Sequence, residues 1–272
     1  MSTAKEPLYW RAEAERLAGT WQPGKGKYRT IEAYATLFED AGAYRWRGES
    51  SHYLYSPAVA PLIARQCPDS RIVVSLRDPA ERLFSEYLWR VRSGKFEGSF
   101  EIFAPAKALR LSRAEVAASD PKMRLGKGLQ AERLAPWLEE FGSERVMTVL
   151  FDDLRARPDK VVRAIYRWLE VDDGFAPRVV HTQKGGFPRR KALFDMLDRR
   201  GGLLRKIARN AVPKDWRKRI RSTFYSRSLV RPVPDPEIME LLRAFYRPDV
   251  ERLEELIGRD LSSWKAPPES NR

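Results

Sequence analysis

Residues Arg71–Val91 read R-I-V-V-S-L-R-D-P-A-E-R-L-F-S-E-Y-L-W-R-V, and two different periodicities meet inside them. Ile72 to Leu76 is a short apolar run rich in β-branched residues, the pattern of a strand covered on both faces. Asp78 then has the chemistry of a helix N-cap, Pro79 suits the first helical position, and Glu81 completes a capping box. At about 100° per residue, Leu83, Phe84, Tyr87, Leu88 and Val91 fall on one face, while Ser85 lies within roughly 20° of Asp78 on the other, with Arg82 beside it. The stretch is therefore a buried strand running directly into an amphipathic helix, the repeating join of an α/β sheet.

Arg77 leaves the strand where the helix begins. In open α/β sheets, ligands bind at that carboxyl end. A helix N-terminus with an arginine and a serine nearby suits an anion such as phosphate. The residues alone favour a surface arginine and a solvated serine over an anion site, and both readings stand on this ground.

The run R-D-P-A-E-R-L-F-S-E-Y, residues 77–87, resembles the 3′-phosphate-binding motif of the sulfotransferases that use 3′-phosphoadenosine 5′-phosphosulfate (PAPS). It is most similar to the branch holding bacterial carbohydrate sulfotransferases and the heparan sulfate enzymes. The resemblance implies that Arg77 and Ser85 grip the 3′-phosphate of PAPS. K-E-P-L-Y-W, residues 5–10, resembles the segment whose glutamate is the general base in related enzymes, here Glu6. R-G-E-S-S-H-Y-L-Y-S-P, residues 47–57, resembles an acceptor-side segment, with Ser50 where some heparan sulfate enzymes carry a functional lysine. That departure leaves the acceptor class open. G-L-Q-A-E-R-L-A-P-W-L-E-E-F followed by R-V-M-T-V-L-F-D-D-L resembles the next helix–strand unit, and L-I-G-R-D-L-S-S-W the closing segment. K-G-G-F-P-R-R, residues 184–190, resembles a loop closing over the nucleotide, which implies cofactor-binding roles for Lys184, Gly185 and Arg189.

The fold so implied is α/β, a parallel sheet flanked by helices in the P-loop-like sulfotransferase arrangement. It forms one domain over residues 1–265, with a disordered tail at 266–272. The family's opening strand and phosphosulfate loop, K-x-G-T-[TS]-x-L, has no counterpart here. The expectation is a domain lacking its first strand–loop–helix unit, roughly 25–35 residues, and a chain that as written is a poor enzyme. The activity implied is transfer of a sulfuryl group from PAPS to a hydroxyl or amine, on a saccharide or glycolipid acceptor and without a metal. The alternative is a noncatalytic homologue acting as a binding or scaffold protein.

Composition narrows the rest. The 272 residues carry a formal net charge of +14, and residues 199–232 alone hold twelve Lys/Arg against one acid, Asp215. That segment reads as a solvated helical face, as an electrostatic guide for an acidic acceptor, or as a peripheral contact with an anionic membrane through Leu203, Leu204, Ile207 and Val212. Nucleic acid is disfavoured as a partner because none of the usual modules is evident. A single cysteine, Cys67, excludes an internal disulfide, and two histidines without a cysteine cluster argue against zinc. No apolar run nears the ~20 residues of a membrane span and no secretory signal opens the chain, so the expected location is cytoplasmic.

Elsewhere the patterns predict helices over 12–18, from a Thr30 cap through Phe38, and over 57–66, 128–141 and 158–169. They predict a short strand with a loop in 44–54, a buried strand over 145–151, a basic loop at 21–27 and an irregular segment over 94–127. Basic helices at 191–207 and 213–224 and two closing helices at 237–246 and 250–256 complete the reading.

Overall fold

The computed structural model describes residues 1–21, 28–104, 124–175, 187–188, 229–230 and 232–266. In chain order its elements are α1 (Tyr9–Leu17), α2 (Ile31–Ala35), α3 (Val59–Gln66), β1 (Ile72–Leu76), α4 (Pro79–Arg92), α5 (Phe100–Phe103), α6 (Gln130–Arg145), β2 (Val146–Leu150), α7 (Phe151–Ala156), α8 (Pro158–Trp168), β3 (Phe187–Pro188), β4 (Leu229–Val230), α9 (Pro236–Ile257) and α10 (Ser262–Lys265). Short 3₁₀ turns lie at Thr36–Ala41, Tyr53–Tyr55 and Gly126–Gly128. The loop at 22–27, the basic segment through residue 228 and the tail at 267–272 lie outside the described residues. Contacts group the chain into two compact units, Met1–Arg77 with Leu129–Ala176 and Asp249–Leu261, and Asp78–Gly128 with Pro177–Pro248 and Ser262–Arg272.

The first unit is built on a parallel pair. β1 and β2 run side by side from Ile72 against Val146 to Leu76 against Leu150. α6 packs on β2 and on α3, and α3 on α1, giving a sheet flanked by helices. Leu76 and Leu134 are fully buried, and each such side chain contributes about 2 kcal/mol of burial. Gly142 turns α6 towards β2 at φ 72°, a left-handed geometry glycine adopts freely. β1 departs from expectation: Val74 and Leu76 are buried while Val73 is 45% exposed. The strand therefore alternates and covers one face.

Two helix ends in this unit are finished by distant residues. The backbone N–H groups of Ala131 and Glu132 open α6 and donate to Asp249, at 3.1 and 3.3 Å. Asp249 is 1% exposed, so it caps the helix where Leu129 has no side chain to do so. At the end of α8, Arg71 Nη1 donates to the Trp168 carbonyl, Trp46 Nε1 to Leu169 at 2.7 Å and Arg45 Nη1 to Glu170 at 3.1 Å. Glu170 pairs with both arginines at 2.6 Å, and hydrogen bonds from Arg71 and then Arg45 hold its carboxyl below the ordinary range. The Arg71 guanidinium lies between the Trp46 and Trp168 rings, 5.1 and 5.5 Å from their centroids. This anchoring leaves residues 44–52 irregular, and the strand expected in 44–54 is replaced by the turn at Tyr53–Tyr55.

The second unit opens with α4. Asp78 accepts from the N–H groups of Ala80 and Glu81 at 2.8 and 3.2 Å, and Leu83, Phe84, Tyr87 and Leu88 are buried, as the periodicity predicts. They meet Phe96, Phe100 and Phe103 in an aromatic cluster, with Phe84 and Phe100 centroids 5.0 Å apart. Asp78 is buried beside Arg243 at 3.5 Å; burial pushes its carboxyl up against the opposing pull of the capped N–H groups and Arg243. Gly128 lies against Tyr246, where a Cβ would fall 2.5 Å from the ring, and the Tyr246 hydroxyl donates to the Leu125 carbonyl at 2.9 Å. β3 and β4 form a short antiparallel pair. The two closing helices expected at 237–246 and 250–256 are one helix, α9, with Pro248 inside it.

Candidate active site

In the first unit, β1 ends at Leu76 opposite Leu150, so Arg77 and Phe151 leave the carboxyl end of the sheet side by side. The Arg77 guanidinium lies 4.7 Å from the Phe151 ring centroid, a cation–π contact that holds the charge at the sheet edge. Its backbone is fixed by Gln130, the first residue of α6. The Arg77 N–H donates to Gln130 Oε1 at 3.1 Å, and Gln130 Nε2 donates to the Arg77 carbonyl at 2.6 Å. A side-chain amide thus stands in for the next strand of the ladder.

Glu6 lies in the same unit. Its Oε2 is 3.4 Å from His52 Nδ1, with both side chains partly open to solvent. Its backbone is left-handed at φ 50°, as is that of Leu8 at φ 56°. A left-handed residue other than glycine costs about 1–2 kcal/mol, and such strain gathers where geometry serves a function.

Glu49 maintains this conformation. Its Oε1 accepts from the hydroxyls of Tyr53 at 2.5 Å and Tyr34 at 3.1 Å, and its Oε2 from Ser51 at 2.5 Å. Ser51 Oγ in turn accepts from the Leu8 N–H at 3.3 Å, and Tyr53 Oη from the Trp10 N–H at 3.4 Å. Burial first, and the Glu49 carboxylate second or third, drive both tyrosines far above the ordinary phenol range, so they remain protonated donors. The turn Tyr53–Tyr55 packs on α6, the helix that holds Arg77.

Ser85 belongs to the second unit, half-buried on α4. Arg82, three residues before it, pairs with Glu86 at 3.1 Å and donates to the Arg124 carbonyl at 2.8 Å. Lys184, Gly185 and Arg189 lie outside the described residues. The structure thus joins Glu6 to His52 and Arg77 to Gln130 and Phe151. His52, Glu49 and Gln130 were not singled out from sequence. A hint for the first two was their clustering in one short polar segment, E-S-S-H-Y; nothing in the sequence pairs Gln130 with Arg77. Among the described residues, no group of His, Cys, Asp and Glu could hold a metal, and no helix is long and apolar enough to cross a membrane.

The profile of the sulfotransferase family matches residues 27–176, a stretch that contains Arg77 and Ser85 and begins after Glu6. The chain is 23% identical over 166 residues to the bifunctional heparan sulfate N-deacetylase/N-sulfotransferase 1 of Caenorhabditis elegans, covering 60% of this chain and 19% of that protein. It is 22% identical over 163 residues to the protein of the same name from Caenorhabditis briggsae, covering 55% and 18%. The chain therefore spans about a fifth of the length of the curated relatives it matches. Among solved structures, a sulfotransferase from Alicyclobacillus acidocaldarius superposes with a TM-score of 0.63 at 24% identity, over 97% of this chain and 87% of that one.

Proposed function

The chain belongs to the sulfotransferase family, and from that premise we propose that it transfers a sulfuryl group from PAPS to a hydroxyl or amine on a saccharide or glycolipid. The observation that carries the choice of donor is Arg77, its guanidinium at the carboxyl end of β1 and its peptide groups clasped by Gln130. A fixed guanidinium at a strand-to-helix junction suits a phosphate ester. In this reading Arg77 and Ser85 hold the 3′-phosphate, and Lys184, Gly185 and Arg189 belong to the loop over the nucleotide. The name of the heparan sulfate relatives supports a saccharide acceptor. The proposed setting is the cytoplasm, with residues 199–232 guiding an acidic acceptor or resting on an anionic membrane surface.

PAPS supplies, when bound, a sulfuryl group already joined to a good leaving phosphate. The protein's part is to bind, orient and remove a proton. Glu6 accepts the acceptor's proton as the new bond to sulfur forms. Its left-handed backbone and the Glu49 network fix the segment that carries the carboxylate, and His52 Nδ1 lies 3.4 Å from it.

Calorimetric titration with 3′-phosphoadenosine 5′-phosphate tests the donor. Binding by the wild-type chain that Arg77→Ala abolishes supports the reading; no binding by well-folded wild-type protein overturns it. For the base, Glu6→Gln is expected to keep nucleotide binding and lose turnover. An undiminished rate would remove Glu6 from the mechanism.

A further inference from the structure

Arg133, in the first turns of α6, is 8% exposed. Its Nε is buried and has no hydrogen-bond partner among the described residues. One helical turn further on, the indole Nε1 of Trp137, 3% exposed, is also buried and unsatisfied. Residues four apart lie on the same side of a helix, so two orphan donors are stacked along one edge of α6.

The setting sharpens this. Gln130, one turn before Arg133, bonds to Arg77, so the first turn of α6 lies at the carboxyl end of the sheet. Asp249 is the acid at this helix end. Its two oxygens accept from Ala131 and Glu132. A guanidinium keeps its charge, and its N–H fork is suited to an oxyanion. Unsatisfied buried donors add their own penalty.

We infer that Arg133, with the Trp137 indole N–H, is a binding residue for an oxyanion carried by a substrate: a carboxylate, sulfate or phosphate. The geometry assigns the charge and the donors. The identity of the carrier rests on the sulfotransferase reading, in which it is either the nucleotide or an acidic acceptor.

Arg133→Met removes the charge and keeps the length, and Arg133→Lys keeps the charge without the planar fork. In sodium chloride, Arg133→Met should melt no lower than wild type, because an unsatisfied buried donor has been removed. Sodium sulfate at equal ionic strength should raise the wild-type melting temperature above its chloride value, and Arg133→Met should lose that increment, with Arg133→Lys intermediate. A lower melting temperature with the increment intact would make Arg133 a packing residue and overturn the inference, whatever the outcome of nucleotide titrations.

Two further titrations identify the carrier. Loss of about tenfold or more in affinity for 3′-phosphoadenosine 5′-phosphate, the scale of one charge-assisted hydrogen bond, assigns the site to the nucleotide. Unchanged nucleotide affinity with lost binding of a glucuronate-bearing heparosan tetrasaccharide assigns it to the acceptor. Failure of the wild type to bind the nucleotide would count against the proposed donor and leave the sulfate comparison to decide Arg133.

Discussion

The side-chain amide of Gln130 meets both peptide groups of Arg77, accepting from its N–H and donating to its carbonyl, so that a helix residue completes the last rung of a strand. The register of Arg77 is thereby coupled to the position of α6. Gln130→Leu should leave two peptide groups unpaired, lower stability by about 2 kcal/mol and weaken nucleotide binding roughly tenfold through misplacement of Arg77. Urea denaturation and calorimetry on the same samples check both effects.

Gly128 is a steric requirement of the second unit. A Cβ there would meet the Tyr246 ring at 2.5 Å, and Tyr246 is fully buried and bonded to Leu125. Gly128→Ala should cost about 2–3 kcal/mol. Tyr246→Leu in the same background should recover part of that loss, a non-additivity that a double-mutant cycle of unfolding free energies would reveal.

Glu86 makes stability depend on acid. Burial pushes its carboxyl up, but a hydrogen bond from Arg90 and the charges of Arg82, Lys127 and Arg90 outweigh it, and the net result lies below the ordinary glutamate value of 4.5. A depressed folded-state value gives stability that is present above the unfolded value and lost as pH falls through the folded one. Glu86→Gln should therefore be less stable than wild type by about 1 kcal/mol at pH 7. The gap should close as pH drops below 4.5 and through the depressed value. Denaturation midpoints from pH 7 to pH 3 test this; a constant gap would assign the loss to packing.

Glu6 predicts a separation of stability from activity. Glycine at position 6 would relieve the left-handed strain at φ 50°, and Glu6→Gly should gain about 1 kcal/mol while losing turnover. Thermal denaturation beside a sulfuryl-transfer assay checks it.

The parts of the fold visible in the sequence are those set by local chemistry. The Asp78 cap, the spacing of Leu83, Phe84, Tyr87 and Leu88 and the bounds of the strand Ile72–Leu76 each rest on a few residues, and the structure follows them, although the strand covers one face rather than two. Expectations diverged where distant groups decide. Residues 44–52 are irregular because Arg45 and Trp46 are spent on the end of α8, and Glu49 gathers three hydroxyls. The pattern splits 237–256 into two helices, yet α9 is continuous through Pro248, with Tyr246 and Val250 buried on either side. The candidate site divides the same way. Glu6, Arg77 and Ser85 stand in contiguous motifs, whereas Gln130, His52 and Arg133 gain meaning only from what lies, or does not lie, beside them.

The cap that Asp249 places on α6 has a temporal side. Asp249 follows Ala131 by 118 residues, and synthesis at about 5–20 residues per second puts the two roughly 6 to 24 s apart on the ribosome. During that interval the nascent helix holds its first N–H groups open to water, and the turn bearing Gln130 frays with them. Arg77 is translated early but held in place late, so competence to bind a nucleotide should arrive only as α9 emerges.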